Sequence, residues 1–382
     1  MIPYGKQNIT QEDIDCVVET LNSEYLTQGP KVKEFEDSFK EFTGAKYAVA
    51  VSSGTAALHL SCLALDVNNK SKIITTPISF VATANSVLYC DGEIDFVDVD
   101  DRALLDLDEL EKKLKSKEKN YYQGVIPVQF SGQCVNLERL RSICDEYGLW
   151  IIEDACHSVG GYFKNSNGDN SMSGSGCYSD ASVFSFHPVK HLACGEGGMI
   201  TTNNEEIYKN LLKNRSHGCT SNIDDMYHTH EPWYYEMQTL GYNYRLTDIQ
   251  SSLGISQLKK IDDGLEIRKS IARKYDTAFK NTSVDVLPSS IGNSYHLYII
   301  QSDRRLDLYN YLRRKGVLVQ VHYIPIHYQP HYKELGWKKN DFPVAESYYE
   351  KCLSLPMYPS LKDQEQEYVI KLVMEFYNEN SI

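Results

Sequence analysis

Three short stretches of this chain hold residue types that could do chemistry together. In Ser182-Val183-Phe184-Ser185-Phe186-His187-Pro188-Val189-Lys190, followed by Gly195-Glu196-Gly197-Gly198, an apolar strand delivers a lone lysine into a glycine-rich loop. Loop lysines are usually solvated. This one follows a buried run, Pro188 stiffens its approach, and the glycines leave room for a flat ligand. A desolvated lysine has a lowered pKa and can condense with an aldehyde. In Trp150-Ile151-Ile152-Glu153-Asp154-Ala155-Cys156-His157, two adjacent carboxylates stand where a buried parallel strand runs out, the edge at which open α/β sheets take ligands. Asp154 there can hold a proton on the nitrogen of a bound ring, because its negative charge raises the partner's pKa; its plainer use is to cap the next turn. His157 is equally a ligand contact or an ordinary half-buried histidine. In Val51-Ser52-Ser53-Gly54-Thr55-Ala56-Ala57-Leu58 a strand ends, small residues turn and a helix begins. That geometry offers unpaired N–H groups and a positive helix end to an anion, with Gly54 allowing close approach and Thr55 adding a hydroxyl. Taken alone, it is equally a helix cap.

A phosphate cradle, a ring-nitrogen carboxylate and an imine-forming lysine are the three protein parts that pyridoxal 5'-phosphate (PLP) requires. They come in the order cradle, Asp154, Lys190. The elements that must position them show as an alternation of short apolar runs with amphipathic stretches. The spacing predicts helices from the Thr10–Asp13 capping pair to about Leu21, and over Lys31–Phe42, Ala56–Leu65 and Phe80–Cys90. It predicts strands at Tyr47–Val51, Lys72–Thr75, Ile94–Val99, Val125–Gln129, Leu149–Glu153, Ala181–Ser185 and Met199–Thr202. Such a pattern marks an α/β fold with a mostly parallel sheet between helices, assigned to a large domain over residues 1–255. Beyond it the texture changes to a charged helix (Gln257 to about Lys280), strands at His296–Gln301 and Val317–His322, and helices at Leu306–Arg314, Ala345–Leu353 and Asp363–Asn378. That is a small α+β domain over 256–382. Lys164–Gly176, rich in Asn, Ser and Gly, reads as a surface loop.

At 382 residues the chain fits one large domain plus a smaller one. No run approaches the roughly 18 apolar residues of a membrane span. The N-terminal stretch has neither the basic start nor the apolar run of a signal peptide, so a cytoplasmic location is expected. A net charge of −13 argues against a general nucleic-acid binder but leaves room for a small anionic ligand, which local groups bind. Ten cysteines without a CxxC pair read as reduced thiols, so no disulfide framework and no metal site is expected.

Ser53-Gly54-Thr55-Ala56-Ala57-Leu58, Glu153-Asp154-Ala155, Ser185-Phe186-His187-Pro188-Val189-Lys190, Gly195-Glu196-Gly197-Gly198 and Gly241-Tyr242-Asn243-Tyr244-Arg245-Leu246-Thr247-Asp248-Ile249-Gln250 form a highly specific combination. Through them the chain resembles, essentially end to end, the DegT/DnrJ-type sugar aminotransferases of the fold-type I (aspartate aminotransferase-like) PLP superfamily. Tyr25-Leu26-Thr27-Gln28-Gly29-Pro30, the run Ile74 to Asn85 and Val321-His322-Tyr323-Ile324-Pro325 are similar to one subgroup, the 4-aminotransferases of the pseudaminic acid pathway. These act on UDP-2-acetamido-2,6-dideoxy-β-L-arabino-hexos-4-ulose with L-glutamate as amino donor.

The resemblance implies a role for each residue. Lys190 carries the cofactor and shuttles the proton. Asp154 pairs with the pyridinium nitrogen, Phe80 stacks on the ring, His157 contacts the cofactor, and Gly54, Thr55 and Ser185 bind the phosphate. Asn243 reaches that phosphate from the neighbouring subunit, which makes the minimal enzyme a homodimer with shared sites. Tyr4, Tyr25, Leu26 and Thr27 contact the sugar nucleotide from the N-terminal segment, and His322 with Tyr323 from the small domain. Arg215, His217 and Arg245 are anion-binding candidates without an assigned role. The chain departs from the family pattern at His191-Leu192-Ala193-Cys194, where threonines and small residues are usual, at Cys156, where alanine is usual, and in a slightly long Lys164–Gly176 loop. None of these removes a catalytic atom. The rival readings are an aminotransferase for another 4-keto or 3-keto sugar, a sugar dehydratase, a nicotinamide dehydrogenase and a non-catalytic sensor. Lys190 speaks against the dehydratase, where a histidine replaces it. No GxGxxG follows the first strand, and Ser173-Gly174-Ser175-Gly176 lies in a loop rather than at a helix start. An intact Lys190 and Asp154 speak against the sensor.

Overall fold

The computed structural model describes residues 1–228 and 231–378. Its centre is a seven-stranded sheet in the order Tyr47–Val51, Gly198–Thr202, Ala181–Ser185, Trp150–Asp154, Gly124–Ile126, Lys72–Thr75, Glu93–Phe96. Gly198–Thr202 runs antiparallel to both neighbours, and the remaining adjacent pairs are parallel. Val49, Ile73, Ile74, Val125, Ile151, Val183 and Ile200 are fully buried, because helices cover both faces. This is a mixed, mostly parallel sheet between helices, as the alternation implied.

Several boundaries differ from the sequence reading, each for a local reason. The strand expected at Val125–Gln129 stops at Ile126, where Pro127 offers no N–H to the ladder. The long charged helix is two helices, Asp248–Lys259 and Ile261–Phe279, meeting at Lys260, and the first opens with a Thr247–Gln250 capping box. Lys164–Gly176 is no plain loop: Tyr162–Lys164 and Asn170–Met172 pair as a hairpin. Of Val317–His322, Val317–Leu318 forms a strand, with Ile2–Pro3 as its parallel partner. The helix expected to reach Leu353 ends at Lys351, and Cys352–Leu355 pairs antiparallel with Tyr298–Gln301.

The C-terminal layer packs Tyr275, Ile300, Leu312, Leu353 and Val373 around a core that also takes in Ile2. Ile326, Tyr332, Phe342 and Tyr348 instead join the core of the large sheet. Residues after 255 therefore lie against the sheet edge as well as in their own layer. Fully buried Arg268, on the second of the two helices, donates to the carbonyls of Tyr295, His296 and Met357 at 3.0 to 3.4 Å and pins the start of that layer.

Candidate active site

The C-terminal ends of the parallel strands converge on one edge. Gly198 is in register with Val51 on one side and Ser185 on the other, and Val183 with Asp154. After Val51, Ser53 caps the helix Gly54–Ala64 by accepting from the Ala56 N–H at 3.1 Å. The N–H groups of Gly54 and Thr55 find no acceptor among the described residues. Side chains are excluded around this turn: a Cβ on Gly54 would lie 2.9 Å from Ser185 Cβ, and one on Gly198 would lie 2.5 Å from the Ser53 carbonyl oxygen. Two free N–H groups at a helix start, packed against Ser185, fit a phosphate group.

Asp154 is 4% exposed. Its Oδ2 accepts from Thr83 Oγ1 at 2.7 Å and its Oδ1 from the Cys156 N–H at 3.2 Å, which leaves lone pairs unused on both oxygens. Thr83 spends its one proton on the carboxylate, so Ser79 Oγ, 2.7 Å away, must donate to Thr83. Glu153 points to the opposite face and is saturated. It accepts from Gln129 Nε2, Ser173 Oγ, the Gly174 N–H and Ser182 Oγ at 2.6 to 3.0 Å.

Lys190 sits in the loop between the antiparallel strands, closed by Phe186 N–H to Gly197 O and Lys190 N–H to His187 O, both 2.9 Å. Its ammonium has no hydrogen bond or ion pair among the described residues. Burial lowers its pKa, and the thiol of Cys156 and the carboxylate of Asp154 partly counter that. The same charge reaches a group of histidines. His157, His191 and His296 are pushed well below the usual imidazole range by burial first, and Lys190 adds to it in each. His322 is pushed down to about 3 by burial and then Lys190. Burial raises the thiol of Cys156 well above its ordinary value.

Residues from both ends of the chain close the outer side. Tyr323 OH meets His157 Nε2 at 3.2 Å, and its ring lies 6.3 Å from Phe80 and 6.2 Å from Phe130. The Tyr4 and His322 rings are 5.0 Å apart, and His322 Nδ1 meets Ser354 Oγ at 2.8 Å. Tyr4 arrives there because Ile2–Pro3 is a strand of the C-terminal layer. Phe80 is 59% exposed, an uncovered ring beside Tyr323.

Other candidates lie apart. Tyr25, Leu26 and Thr27 are exposed and run beside Thr247–Asp248, with Leu26 O accepting from the Asp248 N–H at 3.0 Å. Asn243 is exposed on an extended segment bridged to Ser216, while its neighbours Tyr242 and Tyr244 turn inward onto His59. Arg215 has a structural partner: its Nη1 donates to Glu36 Oε1 at 2.6 Å and to Ala50 O at 2.7 Å. His217 takes a turn position at φ +62°. Arg245 shares a cleft with Arg215, Lys33 and Glu36. Sequence reasoning missed Thr83, His191 and His296 as neighbours of the site. Thr83 stands in the run Ile74 to Asn85 already singled out, and His191 directly follows Lys190; nothing in the sequence pointed to His296.

Free N–H groups at Gly54 and Thr55, an unsaturated buried carboxylate, an unpaired half-buried amine and an uncovered aromatic ring are what PLP needs, so the residues fit that group. The chain matches the DegT/DnrJ/EryC1/StrS aminotransferase family over residues 7–374, and it belongs to that family. It is accordingly a PLP-dependent sugar aminotransferase. Over 98% of its length and 96% of the relative's, it is 37% identical to the spore coat polysaccharide biosynthesis protein SpsC of Bacillus subtilis. It is 34% identical, over 97% and 96%, to the UDP-4-amino-4,6-dideoxy-N-acetyl-β-L-altrosamine transaminase of Campylobacter jejuni. The solved structure of Helicobacter pylori PseC, an aminotransferase involved in the biosynthesis of pseudaminic acid, superposes with a TM-score of 0.89 at 30% identity over 99% of each chain. No helix among the described residues is long and apolar enough to cross a membrane.

Proposed function

We propose that this enzyme transfers the amino group of L-glutamate to C4 of a UDP-linked 4-keto-6-deoxy-N-acetylhexosamine, UDP-2-acetamido-2,6-dideoxy-β-L-arabino-hexos-4-ulose, in a cytoplasmic step of pseudaminic acid biosynthesis that serves flagellin or cell-surface glycosylation. The observation that carries this reading is the end-to-end likeness to the C. jejuni transaminase and to PseC.

Bound PLP supplies an aldehyde for imine formation and a ring that takes up the electron pair of a broken C–H bond. Lys190 is the residue that holds the cofactor and then moves a proton between donor carbon and cofactor, a task suited to an amine whose pKa burial lowers. Asp154, steadied by Thr83 and the Cys156 N–H, keeps the ring nitrogen protonated. Gly54, Thr55 and Ser185 receive the phosphate, Phe80 covers the ring, and His157 lies beside it. Tyr4, His322 and Tyr323 meet the sugar nucleotide from one side, and Tyr25, Leu26 and Thr27 from the other. Residues 1–255 thus carry the cofactor, and 256–382 with the N-terminal strand shape the sugar site.

A homodimer completes the site through Asn243. Its outward position supports this, as do the exposed apolar side chains of the nearby 223–240 segment: Trp233 and Leu240 are 78% and 79% exposed, a state that favours burial against a second surface. Light scattering of the holoenzyme should give twice the chain mass.

A second reading, a different nucleotide keto-sugar, is favoured by the 37% identity to SpsC. A coupled assay with glutamate against UDP- and dTDP-linked 4-keto-sugars, with the configuration of the new amine read by NMR, separates the two. Turnover of the β-L-arabino UDP sugar at least about tenfold above the others is expected; a preference for another sugar rejects the first reading.

A further inference from the structure

Three imidazoles stand in a buried row behind the site. The rings of His157 and His296 are 4.2 Å apart, and those of His296 and His191 are 5.6 Å apart. His157 and His296 are 5% and 4% exposed, and the Nδ1 atoms of all three lack a protein partner. The row is tied down at one end. His191 directly follows Lys190, and its Nε2 donates to the Ser294 carbonyl at 2.9 Å, since a carbonyl can only accept. Ser294 Oγ in turn donates to the His157 carbonyl at 3.2 Å. At the other end, His157 Nε2 makes the 3.2 Å contact with Tyr323 OH, for which no second partner is found among the described residues. The Tyr323 ring packs on Phe80 and Phe130, and its hydroxyl is tied to the His157 ring. That ring is wedged between His296 and Phe130, the latter at 5.9 Å. The backbone of His296 is itself held by Arg268.

We propose that His296 is a positioning residue for the sugar half of the reaction: its ring seats His157, and His157 holds the Tyr323 hydroxyl where the keto-sugar must align. This rests on the assignment of Tyr323 to the sugar site. The Nδ1 of His296 has no protein partner and its ring packs directly on His157, so a Phe ring should keep His157 seated and Ala should not. A one-ångström error in an aligning group is enough to cost one to two orders of magnitude in rate.

The test compares H296A and H296F holoenzymes with wild type in single-turnover absorbance measurements of the two half-reactions, glutamate with the PLP form and keto-sugar with the aminated form. H296A should slow the sugar half about tenfold or more and the glutamate half several-fold less, since His157 also lies beside the cofactor ring. H296F should stay within about threefold of wild type in both. Equal slowing of both halves by H296A, or H296F as slow as H296A, overturns the inference. A crystal structure of the H296A holoenzyme decides the matter independently of the sugar. The Tyr323–His157 contact should open beyond hydrogen-bond reach, and its survival overturns the inference. A wild type that reacts with glutamate but with none of the keto-sugars rejects the substrate reading instead and leaves the crystallographic result to judge His296.

Discussion

The last two residues of the strand Trp150–Asp154 face opposite sides of one sheet, and their surroundings have little in common. Glu153 meets four donors and is finished by the fold. Asp154 meets two, one of them a side chain that is itself held in place by a serine. A saturated buried carboxylate ties loops together and has nothing left to offer. An unsaturated one at a sheet edge has spare lone pairs to offer a ligand. The difference teaches that adjacency in sequence says nothing about shared function on a strand, where successive residues belong to different faces.

The largest effect expected on the Asp154 face comes from its amine. K190A should lower turnover by about four orders of magnitude or more and abolish the yellow absorbance of the lysine-bound cofactor; repeated turnover by that variant would remove the basis of the site. Next, D154N should lower kcat by about 10²–10³ with little change in melting temperature. E153Q should do the reverse: turning an amide toward donors that had an acceptor costs about 2–3 kcal/mol of stability, while the folded fraction keeps its rate. Equal loss of rate in the two variants would break the contrast. G54A, whose methyl group would press on Ser185 and Cys156, should weaken PLP binding about tenfold, read by titrating the apoenzyme with cofactor.

The smallest effect concerns pH. His322 in the folded chain titrates at about 3, whereas an unfolded histidine titrates near 6.5. Below the higher value the unfolded chain takes up a proton that the folded one refuses, so stability falls as pH drops from there toward the lower value. His157, His191 and His296 are shifted in the same direction and add to the slope. The apoenzyme's melting temperature should therefore fall between pH 7 and pH 5, and H322Q should flatten that fall by about a degree or two.

Legibility followed the same division. Gly54, Asp154 and Lys190 could be placed at one edge from sequence because each follows a mainly apolar run long enough to be a strand of the sheet. The C-terminal layer was harder. Its strands are as short as Val317–Leu318, and Cys352–Leu355 follows its helix without an intervening turn, so no periodicity separates them. The supporting groups were least accessible. Thr83 and Asp154 are 71 positions apart, and His157 and Tyr323 are 166 apart. Only packing brings such pairs together, and neither has a local signature.

Pairing between Ile2–Pro3 and Val317–Leu318 has a consequence for how the enzyme is made. Ile2 leaves the ribosome early and must wait for almost the whole chain before its strand partner exists. The strands of the cofactor-holding sheet, the last of which ends at Thr202, have all emerged well before that. A nascent chain paused before Val317 thus lacks Tyr4, His322 and Tyr323 in their places, together with Ile326, Tyr332, Phe342 and Tyr348 of the large core, so the sugar side of the site is the last to be completed.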